Sequence, residues 1–438
     1  MEKLAEFVAH HIGEDTSRLL LGRAKWPDID MDMAVSCIES RRKLKGKVQE
    51  WYDEPRLVFP VKLSAEQCSS SATGRYKAEL AERIAGAGCR IADLTGGLGV
   101  DSWFFSQKAS AVLYNEMQKP LCDAARHNFA VLKASNITIS NYAVGHEGDA
   151  SSASPRELLA DFRPDIVYMD PARRGEGGRK VFLIEECTPD VLMLKDEISV
   201  YSRHILLKLS PMADISMVCS RLGKTCREVH VVASGGECKE LLIWMDREWQ
   251  GEYGITAVEM HNDGTCGTFI FKPSEEKDAA GIPCCRPYCV PGGKTAFLFE
   301  PGKALMKAGA FNIISQRLGI SKLGKSTHYY IVPDNHTSEI MSELKRTGKV
   351  YSIIRCEPLD KRTIKTAGEE FPYADVTARN IPMDTDTLRK KLGQNTARKT
   401  SRSSEQPVHI FALKSDTEGN LLLITRRCAQ EESSGPLL

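Results

Sequence analysis

Residues 90–116 read RIADLTGGLGVDSWFFSQKASAVLYNE, and this stretch decides the fold of the 438-residue chain. It divides into an apolar strand, a glycine loop, a helix start, a second apolar strand and a carboxylate: Arg90–Leu94, Thr95–Gly99, Asp101, Ala111–Asn115 and Glu116. A glycine turn after a buried strand, followed about 20 residues later by a carboxylate, is typical of the first half of a doubly wound nucleotide-binding fold.

Strand and helix patterns alternate from residue 90 to about residue 250. Seven strands are predicted, at Arg90–Leu94, Ala111–Asn115, Ile137–Val144, Ile166–Met169, His204–Leu209, Cys226–Val232 and Leu241–Met245. Helices are predicted between them, among others at Lys119–Lys133, Pro155–Asp161 and Lys180–Asp196. Such alternation indicates a parallel sheet with helices on both faces. We therefore expect an α/β fold with a Rossmann-like, doubly wound, seven-stranded, mostly parallel sheet.

The predicted sheet belongs to a domain at residues 64–250, and the rest of the chain divides by pattern into three further parts. In residues 1–63 the apolar residues have helical spacing. Residues 251–327 predict a small α+β linker domain that includes a four-turn helix at 301–320. Residues 328–430 predict a second α+β domain, with strands at 328–332, 350–356, 362–367, 375–380, 408–413 and 421–427.

Composition limits the classes of function. The formal net charge is +1, so any surface for a polyanion must be local. No apolar run reaches the roughly 20 residues of a membrane span, and the first 15 residues lack a signal-peptide core. The 14 cysteines are scattered, which favours a reducing compartment, and the cytoplasm is expected. Cys284, Cys285 and Cys289 lack a paired C-x-x-C, so we expect no metal site.

The glycine loop predicts a cofactor site, because Gly96, Gly97 and Gly99 remove the side chains that would keep a ligand off the backbone. A dinucleotide is disfavoured: the third glycine of that fingerprint is replaced by Ser102, and Asp101 would repel a pyrophosphate at the helix start. An acidic loop suits the ammonium and sulfonium groups of S-adenosylmethionine better. A tight turn without a ligand is the structural alternative.

Four further residues are assigned contacts with that cofactor. Asp93 would take the ammonium group through water or a backbone contact, and Glu116 would accept both ribose hydroxyls. Asp149 would accept from the adenine amine, and Met117 would pack on the adenine face, although a Met after a strand is as often part of the core.

Asp165–Arg174 reads DIVYMDPARR and delivers Asp170 and Pro171 to the same edge of the sheet. The Asp-Pro step keeps the chain extended and removes one N–H, which leaves a surface of acceptor oxygens. Such a surface would bind a substrate NH₂ and turn its lone pair toward a methyl donor, so that transfer is accelerated by positioning and charge stabilisation. The alternative is a loop that merely ends a strand.

Together the two motifs resemble class I S-adenosylmethionine-dependent methyltransferases, in particular those with an Asp/Asn-Pro-Pro-aromatic tetrapeptide that methylate nucleobase nitrogens. DLTGGLGVDS with DPARR is similar to RNA methyltransferases, and the domain order resembles bacterial proteins with a ferredoxin-like linker and a C-terminal THUMP-like domain. This resemblance implies substrate contacts from Asp170 and Pro171. It implies cofactor contacts from Asp93, Thr95, Gly96, Gly97, Gly99 and Glu116.

The tetrapeptide departs from that pattern, since Ala172 replaces the second proline and Arg173 replaces the aromatic residue, followed by Arg174. A guanidinium can stack on a base or bind phosphate, so nucleic acid remains the expected substrate. The departure keeps two alternatives open: an RNA-binding protein that has lost catalysis, and a methyltransferase acting on proteins or small molecules.

A basic stretch near the C-terminus predicts the surface that holds RNA. Residues 387–404, TLRKKLGQNTARKTSRSS, contain six Lys or Arg and no acid, and Arg389, Lys390 and Lys391 lead this run. Clustered cations that neutralise phosphates are the main source of nucleic-acid affinity. A solvated helix is the alternative, and the THUMP-like resemblance favours RNA.

Overall fold

The computed structural model describes residues 2–145, 152–173, 184–284, 296–394 and 407–428. The chain divides into two compact units. Unit 1 comprises residues 1–229 and 240–252, and unit 2 comprises residues 230–239 and 253–438. The four domain boundaries expected from the sequence stay a prediction.

The helices of the described chain are α1 Glu2–His11, α2 Thr16–Leu21, α3 Met31–Leu44, α4 Gln49–Tyr52, α5 Lys62–Gln67, α6 Ser71–Ala85, α7 Val100–Ser106, α8 Lys119–Val131, α9 Pro155–Leu159, α10 Val191–Tyr201, α11 Ile215–Leu222, α12 Pro273–Asp278, α13 Lys303–Ala308, α14 Ile313–Leu318, α15 Ser338–Thr347, α16 Lys361–Glu370 and α17 Thr385–Lys391.

The strands are β1 Arg90–Asp93, β2 Ala111–Asn115, β3 Ile137–Ser140, β4 Ala143–Val144, β5 Ser152–Ala153, β6 Ile166–Met169, β7 Ala172–Arg173, β8 Cys187–Thr188, β9 His204–Leu209, β10 Cys226–Ser234, β11 Glu237–Asp246, β12 Gly254–Met260, β13 Cys266–Phe271, β14 Phe297–Pro301, β15 Ser321–Lys322, β16 Tyr330–Val332, β17 Gly348–Pro358, β18 Asp375–Arg379, β19 Val408–Ser415 and β20 Gly419–Arg427.

The larger sheet confirms an α/β architecture with a parallel core. Its strand order is β13-β12-β10-β11-β9-β6-β1-β2-β3. Strands β3, β2, β1, β6 and β9 are parallel neighbours, and β11 runs antiparallel to β9. The strand order reverses between β1 and β6, and in open α/β sheets ligands bind at such a switch point, beyond the carboxyl ends of the strands.

The predicted count of seven strands is wrong, because the sheet described here has nine. The additional strands are β12 and β13, which pair antiparallel from Ile255 opposite Phe271 to Met260 opposite Cys266. The sequence pattern assigns this segment to the linker domain instead. A hairpin adds strands to a sheet without an intervening helix, so the alternation that marks the earlier strands is absent here.

The segments before β1 form helices that lead into the sheet. Residues 2–52 are largely helical as predicted, with a core that includes Leu19, Ile38 and Trp51. Helix α6 begins at a capping box, in which the Ser70 side chain accepts from the Thr73 N–H and the Thr73 side chain accepts from the Ser70 N–H. Helix α6 ends shortly before β1.

The structure differs from the helix predicted at 180–196, in the part of that segment that it describes. Ile184–Glu186 is a 3-10 turn, β8 follows it, and α10 starts only at Val191. Pro189 lies just before this start, and the Asp190 side chain accepts hydrogen bonds from the Leu192 and Met193 N–H groups of α10. Proline removes a donor and an aspartate cap favours a new start, so the chain begins a helix here rather than continuing one.

Unit 2 carries a seven-stranded sheet in the order β15-β16-β14-β17-β20-β19-β18. Two of the sequence predictions for this unit are wrong. Residues 362–367 lie in α16, where Asp360 caps the helix and Ile364 and Ala367 face the core at helical spacing. The predicted helix at 301–320 is two helices, α13 and α14, because Gly309 ends the first one with a φ of 80°.

Candidate functional site

The glycine loop and the Asp-Pro peptide lie side by side at the switch point of the sheet. Strands β1 and β6 are parallel neighbours, and the Leu94 N–H donates to the Tyr168 carbonyl over 3.1 Å. Beyond the strand ends, the Asp170 N–H donates to Thr95 Oγ1 over 2.6 Å. The threonine hydroxyl therefore joins the two motifs directly.

The three glycines of the loop meet different structural requirements. A Cβ on Gly96 would lie 2.2 Å from the Tyr114 ring, and one on Gly99 would lie 2.8 Å from the Phe129 ring. Gly97 has a φ of 55°, and a Cβ there would meet only the Thr95 carbonyl, at 3.8 Å. Gly96 and Gly99 thus let the loop pack onto aromatic rings, whereas Gly97 adjoins open space.

Glu116 holds the far side of the loop. Its carboxylate accepts from the Gly97 N–H over 2.9 Å and from the Gln118 N–H over 2.8 Å, and the residue is 7% exposed. Each carboxylate oxygen keeps a second lone pair for a ligand. Met117 follows with 57% of its surface exposed.

Asp93 is buried at the end of β1. One carboxylate oxygen accepts from the Thr95 N–H over 3.0 Å and the other from the Ser102 hydroxyl over 2.6 Å. Burial raises the pKa of Asp93 to about 7, and the nearby carboxylates of Asp101 and Asp170 add to this effect. The side chain thus shapes the turn and reaches a ligand only through the backbone or water.

A group of buried charges adjoins the loop, and sequence reasoning missed most of it. This charge cluster consists of Lys77, Asp101, Asp170, Lys208 and Glu240. A signal was available: a lysine in the apolar strand sequence HILLKL is unusual, because a buried lysine needs carboxylate partners. Lys77 and Glu240 lie far apart in the sequence, and no local pattern links them.

Lys77 is the fully buried lysine of the charge cluster. Its ammonium lies 2.9 Å and 3.1 Å from the two carboxylate oxygens of Glu240, 3.2 Å from Asp101 Oδ1 and 2.8 Å from the Ser69 hydroxyl. The other Asp101 oxygen accepts from Ser69 and from the Tyr168 hydroxyl. The acid that was expected to repel a pyrophosphate is therefore turned inward and paired.

Lys208 is the member that reaches the Asp-Pro peptide. Its ammonium donates to Asp170 Oδ2, and its side chain is 13% exposed while that of Asp170 is 38% exposed. Burial alone would lower the pKa of Lys208, but the carboxylates of Asp170, Glu240 and Asp101 raise it above its usual value. The Lys208 side chain is therefore a cation at neutral pH.

The pKa values of two carboxylates of the charge cluster are shifted in opposite directions. For Asp101, burial alone would raise the pKa, but Lys77 and Lys208 lower it below its usual value. For Glu240, burial outweighs the same two lysines and raises the pKa. Three carboxylates, Asp101, Asp170 and Glu240, face two lysines, which leaves one negative charge in excess when all are ionised.

The remaining predicted substrate residues are only partly described. Pro171 is buried, Ala172 is exposed, and the backbone of Arg173 pairs with Cys187 in the β7–β8 ladder. Arg174 and Asp149 lie outside the described residues, as do Cys285 and Cys289. Within the described ranges, no group of three or more His, Cys, Asp or Glu side chains is arranged to hold a metal ion.

The predicted basic surface lies in part on α17. Lys390 and Lys391 are exposed, and Arg389 donates to Asp386 over 2.7 Å. Only the part of the basic stretch up to residue 394 is described. No helix of the described chain is long and apolar enough to cross a membrane.

Comparisons with known families match two segments in the C-terminal third of the chain. The family model of a ferredoxin-like domain matches residues 297–336, and that of a THUMP-like domain matches residues 348–427. A search of curated proteins gave no match.

Solved structures extend the similarity to the whole chain. A crystal structure named "putative methyltransferase from Porphyromonas gingivalis W83" is 28% identical, with a TM-score of 0.78, and the match covers 98% of each chain. The resemblance expected from the sequence, to a methyltransferase with ferredoxin-like and THUMP-like parts, is thereby confirmed.

Two weaker matches cover less than half of this chain. The N-terminal domain of EvdMO1 with SAH bound is 14% identical, with a TM-score of 0.32, and the match covers 47% of this chain and 94% of that one. An rRNA methylase from Streptococcus thermophilus is 9% identical, with a TM-score of 0.28, and the match covers 39% and 94%. These scores are too low for any inference.

Proposed function

We propose that the chain is an S-adenosylmethionine-dependent methyltransferase that modifies structured RNA, such as ribosomal or transfer RNA. The observation that carries this proposal is the hydrogen bond from the Asp170 N–H to the Thr95 hydroxyl, which joins the Asp-Pro peptide directly to the glycine loop. Whole-chain similarity to a methyltransferase structure supports the reaction class, and the THUMP-like match at residues 348–427 supports RNA.

The loop fits the proposed cofactor in two respects. Gly97 adjoins open space, and Glu116 keeps free lone pairs on both carboxylate oxygens beside it. The excess negative charge of the cluster would attract the sulfonium and ammonium groups. In this proposal Glu116 accepts the ribose hydroxyls and Met117 packs on the adenine.

The other proposed cofactor residues act through the backbone. Thr95, Gly96 and Gly99 shape the loop, and Asp93 holds its first turn through the Thr95 N–H. Asp149 remains proposed as the acceptor for the adenine amine.

S-adenosylmethionine, when bound, supplies an electrophilic methyl group, and the chain must present an acceptor atom to it. A nucleobase nitrogen, the acceptor predicted from the sequence, is favoured by the Asp-Pro peptide. The Asp170 carboxylate and the backbone carbonyls beside Pro171 accept from an amine and turn its lone pair toward the methyl group. Arg173 and Arg174 would then hold the base or a phosphate, next to Ala172.

A hydroxyl oxygen is the second candidate for the acceptor. The specific observation in its favour is the Lys208 ammonium beside Asp170, because a cation stabilises an oxygen that becomes negative.

The THUMP-like part is proposed to hold the RNA. Arg389, Lys390 and Lys391 lie within it, and cations of this kind neutralise phosphates without reading bases. This gives α17 a role in affinity and leaves the choice of the modified atom to the site in unit 1.

The test is transfer of a radiolabelled methyl group from S-adenosylmethionine to total RNA, with calorimetry of cofactor binding in parallel. We expect Asp170→Asn, and also Asp170→Ala, to abolish transfer while leaving the cofactor dissociation constant within a few-fold. Asp123→Asn removes an exposed carboxylate on α8 and should leave transfer unchanged.

The outcomes separate the alternatives. Binding of RNA without binding of S-adenosylmethionine would indicate an RNA-binding protein that has lost catalysis. Transfer to protein or to small metabolites but not to RNA would replace the proposed substrate class. Loss of cofactor binding in Asp170→Asn would move Asp170 from the substrate side to the cofactor side of the site.

A further inference from the structure

One lysine of the charge cluster, Lys208, bonds to the Asp-Pro peptide rather than to the glycine loop. The loop is organised by Asp93, Thr95 and Glu116, whereas the Lys208 ammonium donates to Asp170 on the substrate side. Lys208 is also the partly exposed lysine of the cluster, since Lys77 is fully buried. Its position beside Asp170 indicates a role at the atom that accepts the methyl group.

We infer that Lys208 is a catalytic residue that stabilises an acceptor oxygen, and hence that the enzyme methylates a hydroxyl group of RNA rather than a nucleobase nitrogen. The inference rests on the proposed function, and it selects between the two acceptors given there.

The sign of the charge that develops on the acceptor decides between oxygen and nitrogen. A neutral amine becomes positive as it takes a methyl group, and an adjacent ammonium raises the energy of that state. A hydroxyl oxygen that is losing its proton becomes negative, and the same ammonium lowers the energy of that state. A cation fixed beside Asp170 therefore favours oxygen.

The hydrogen bonds of Asp170 leave a place for the proton of a hydroxyl acceptor. Lys208 donates to Asp170 Oδ2, and among the described residues no donor is bonded to Asp170 Oδ1. This second oxygen can therefore take the proton. The acceptor oxygen then bonds to the methyl carbon, its proton passes to Asp170, and the electron pair of the broken carbon–sulfur bond stays with sulfur.

The rest of the cluster keeps Lys208 charged and in place. Asp101 and Glu240 raise its pKa together with Asp170. Lys77 pairs with both Asp101 and Glu240, at 3.2 Å and 2.9 Å, and so offsets part of the negative charge that these two carboxylates place in the interior. Lys77 is thus a positioning residue, and Lys208 is the residue that touches the acceptor.

The acceptor within RNA follows from nucleotide chemistry. Inside an RNA strand the 3′ and 5′ oxygens are esterified, so the ribose 2′-hydroxyl is the free hydroxyl of the standard nucleotides. The proposal therefore names the 2′-oxygen of an RNA nucleotide as the methylated atom.

The first experiment identifies the product. RNA labelled by the full-length enzyme is digested to nucleosides, and a second sample is treated with alkali, which cleaves RNA only next to free 2′-hydroxyls. Label in ribose-methylated nucleosides and in alkali-resistant dinucleotides supports the inference. Label in the base overturns it while leaving the proposed function intact, and absence of label from any RNA overturns both.

The second experiment tests Lys208 itself. We expect Lys208→Met to lower kcat by about 100-fold or more, the effect of removing one preorganised electrostatic group, while the cofactor dissociation constant stays within about three-fold. Lys208→Arg keeps the charge and should restore a measurable part of the rate. Lys224→Met removes an exposed lysine of the same unit and serves as the control.

A purely structural role for Lys208 predicts a different pattern. In that case Lys208→Met would lower folding stability and cofactor affinity together, and kcat of the folded fraction would stay near that of the wild type. That result would overturn the assignment of Lys208. Should Lys208→Met fail to fold, Lys208→Gln, which keeps a donor to Asp170 without the charge, supplies the same comparison.

Discussion

The carboxyl group of Asp93 is enclosed at the end of β1, with its oxygens bonded to the Thr95 N–H and the Ser102 hydroxyl. Because burial raises its pKa from 3.8 to about 7, the folded chain binds more protons than the unfolded chain between these values. Below about pH 4 the protonated group therefore contributes on the order of 4 kcal/mol to the free energy of unfolding. This contribution is lost as the pH rises through 7.

The variant Asp93→Asn isolates this contribution, since its amide does not titrate. We expect the stability of the variant relative to the wild type to increase steadily from pH 4 to pH 7.5, because only the wild type loses a bound proton on unfolding in this range. Urea unfolding of both proteins at several pH values measures the difference. A difference that does not change with pH would contradict the raised pKa.

Gly97 permits a second prediction at the scale of one residue. An alanine there meets no crowding but must adopt a φ of 55°, which costs roughly 1–2 kcal/mol. Its methyl group would also enter the space proposed for the cofactor, so we expect Gly97→Ala to weaken S-adenosylmethionine binding at least ten-fold in calorimetry.

The matched control for this change is Gly309→Ala at the end of α13 in unit 2. Gly309 has a φ of 80° and a ψ of 22°, and a Cβ there would have open space around it, so alanine would carry a similar left-handed backbone strain outside the loop. It should lose similar stability and keep cofactor affinity. Equal cofactor binding by both variants would show that the cofactor does not lie over Gly97.

At the scale of elements, α17 presents the exposed Lys390 and Lys391 within the THUMP-like match. We expect Lys390→Glu with Lys391→Glu to weaken RNA binding at least ten-fold near 0.1 M salt. The slope of log affinity against log salt should fall by about 2, because each lysine neutralises about one phosphate. Filter binding across a salt series measures both.

A double variant elsewhere controls for the change in net charge. Arg23→Glu with Lys25→Glu alters the same number of charges on an exposed 3-10 turn of unit 1. It should leave RNA affinity within about two-fold. Equal losses of affinity in the two double variants would mean that net charge, and not α17, governs the binding.

Elements with a strong local pattern are predictable from the sequence, and those fixed by capping or by distant partners are not. Strands β2, β6 and β9 have their predicted bounds, because each is an apolar run between clear breaks. The strand predicted at 362–367 is a helix, because the Asp360 cap and the buried Ile364 and Ala367 favour one. The pairing of the β12–β13 hairpin with the larger sheet is not predicted, because nothing local marks which sheet a hairpin joins.

The candidate site divides in the same way. The loop and the Asp-Pro peptide are recognisable in the sequence, since glycine and proline have backbone roles that are local. The pairing of Lys77 with Glu240 is not, because it depends on how β11 is inserted next to β9. Lys208 is missed as well, because one lysine in an apolar strand has little weight until its carboxylate partners are known.

At the scale of the whole molecule, the division into two units predicts where ligands act. S-adenosylmethionine at 100 times its dissociation constant should raise the free energy of unfolding of unit 1 by about 2.7 kcal/mol. In hydrogen exchange we expect added protection in residues 93–118 and 166–171. Residues 348–427 should be unchanged by the cofactor, and equal protection there would contradict a cofactor site confined to unit 1.

The ion pair between Lys77 and Glu240 joins residues that are 163 positions apart in the chain. At ribosomal speeds of about 5–20 residues per second, Lys77 leaves the ribosome roughly 8–33 s before its partner exists. Until then the nascent chain has α6, β1 and the glycine loop, with Asp101 as the carboxylate beside this lysine, at 3.2 Å. The proposed site can thus assume its final form only after more than half of the protein has been translated, and truncated products that stop short of Glu240 would lack the carboxylate that lies 2.9 Å from the Lys77 ammonium.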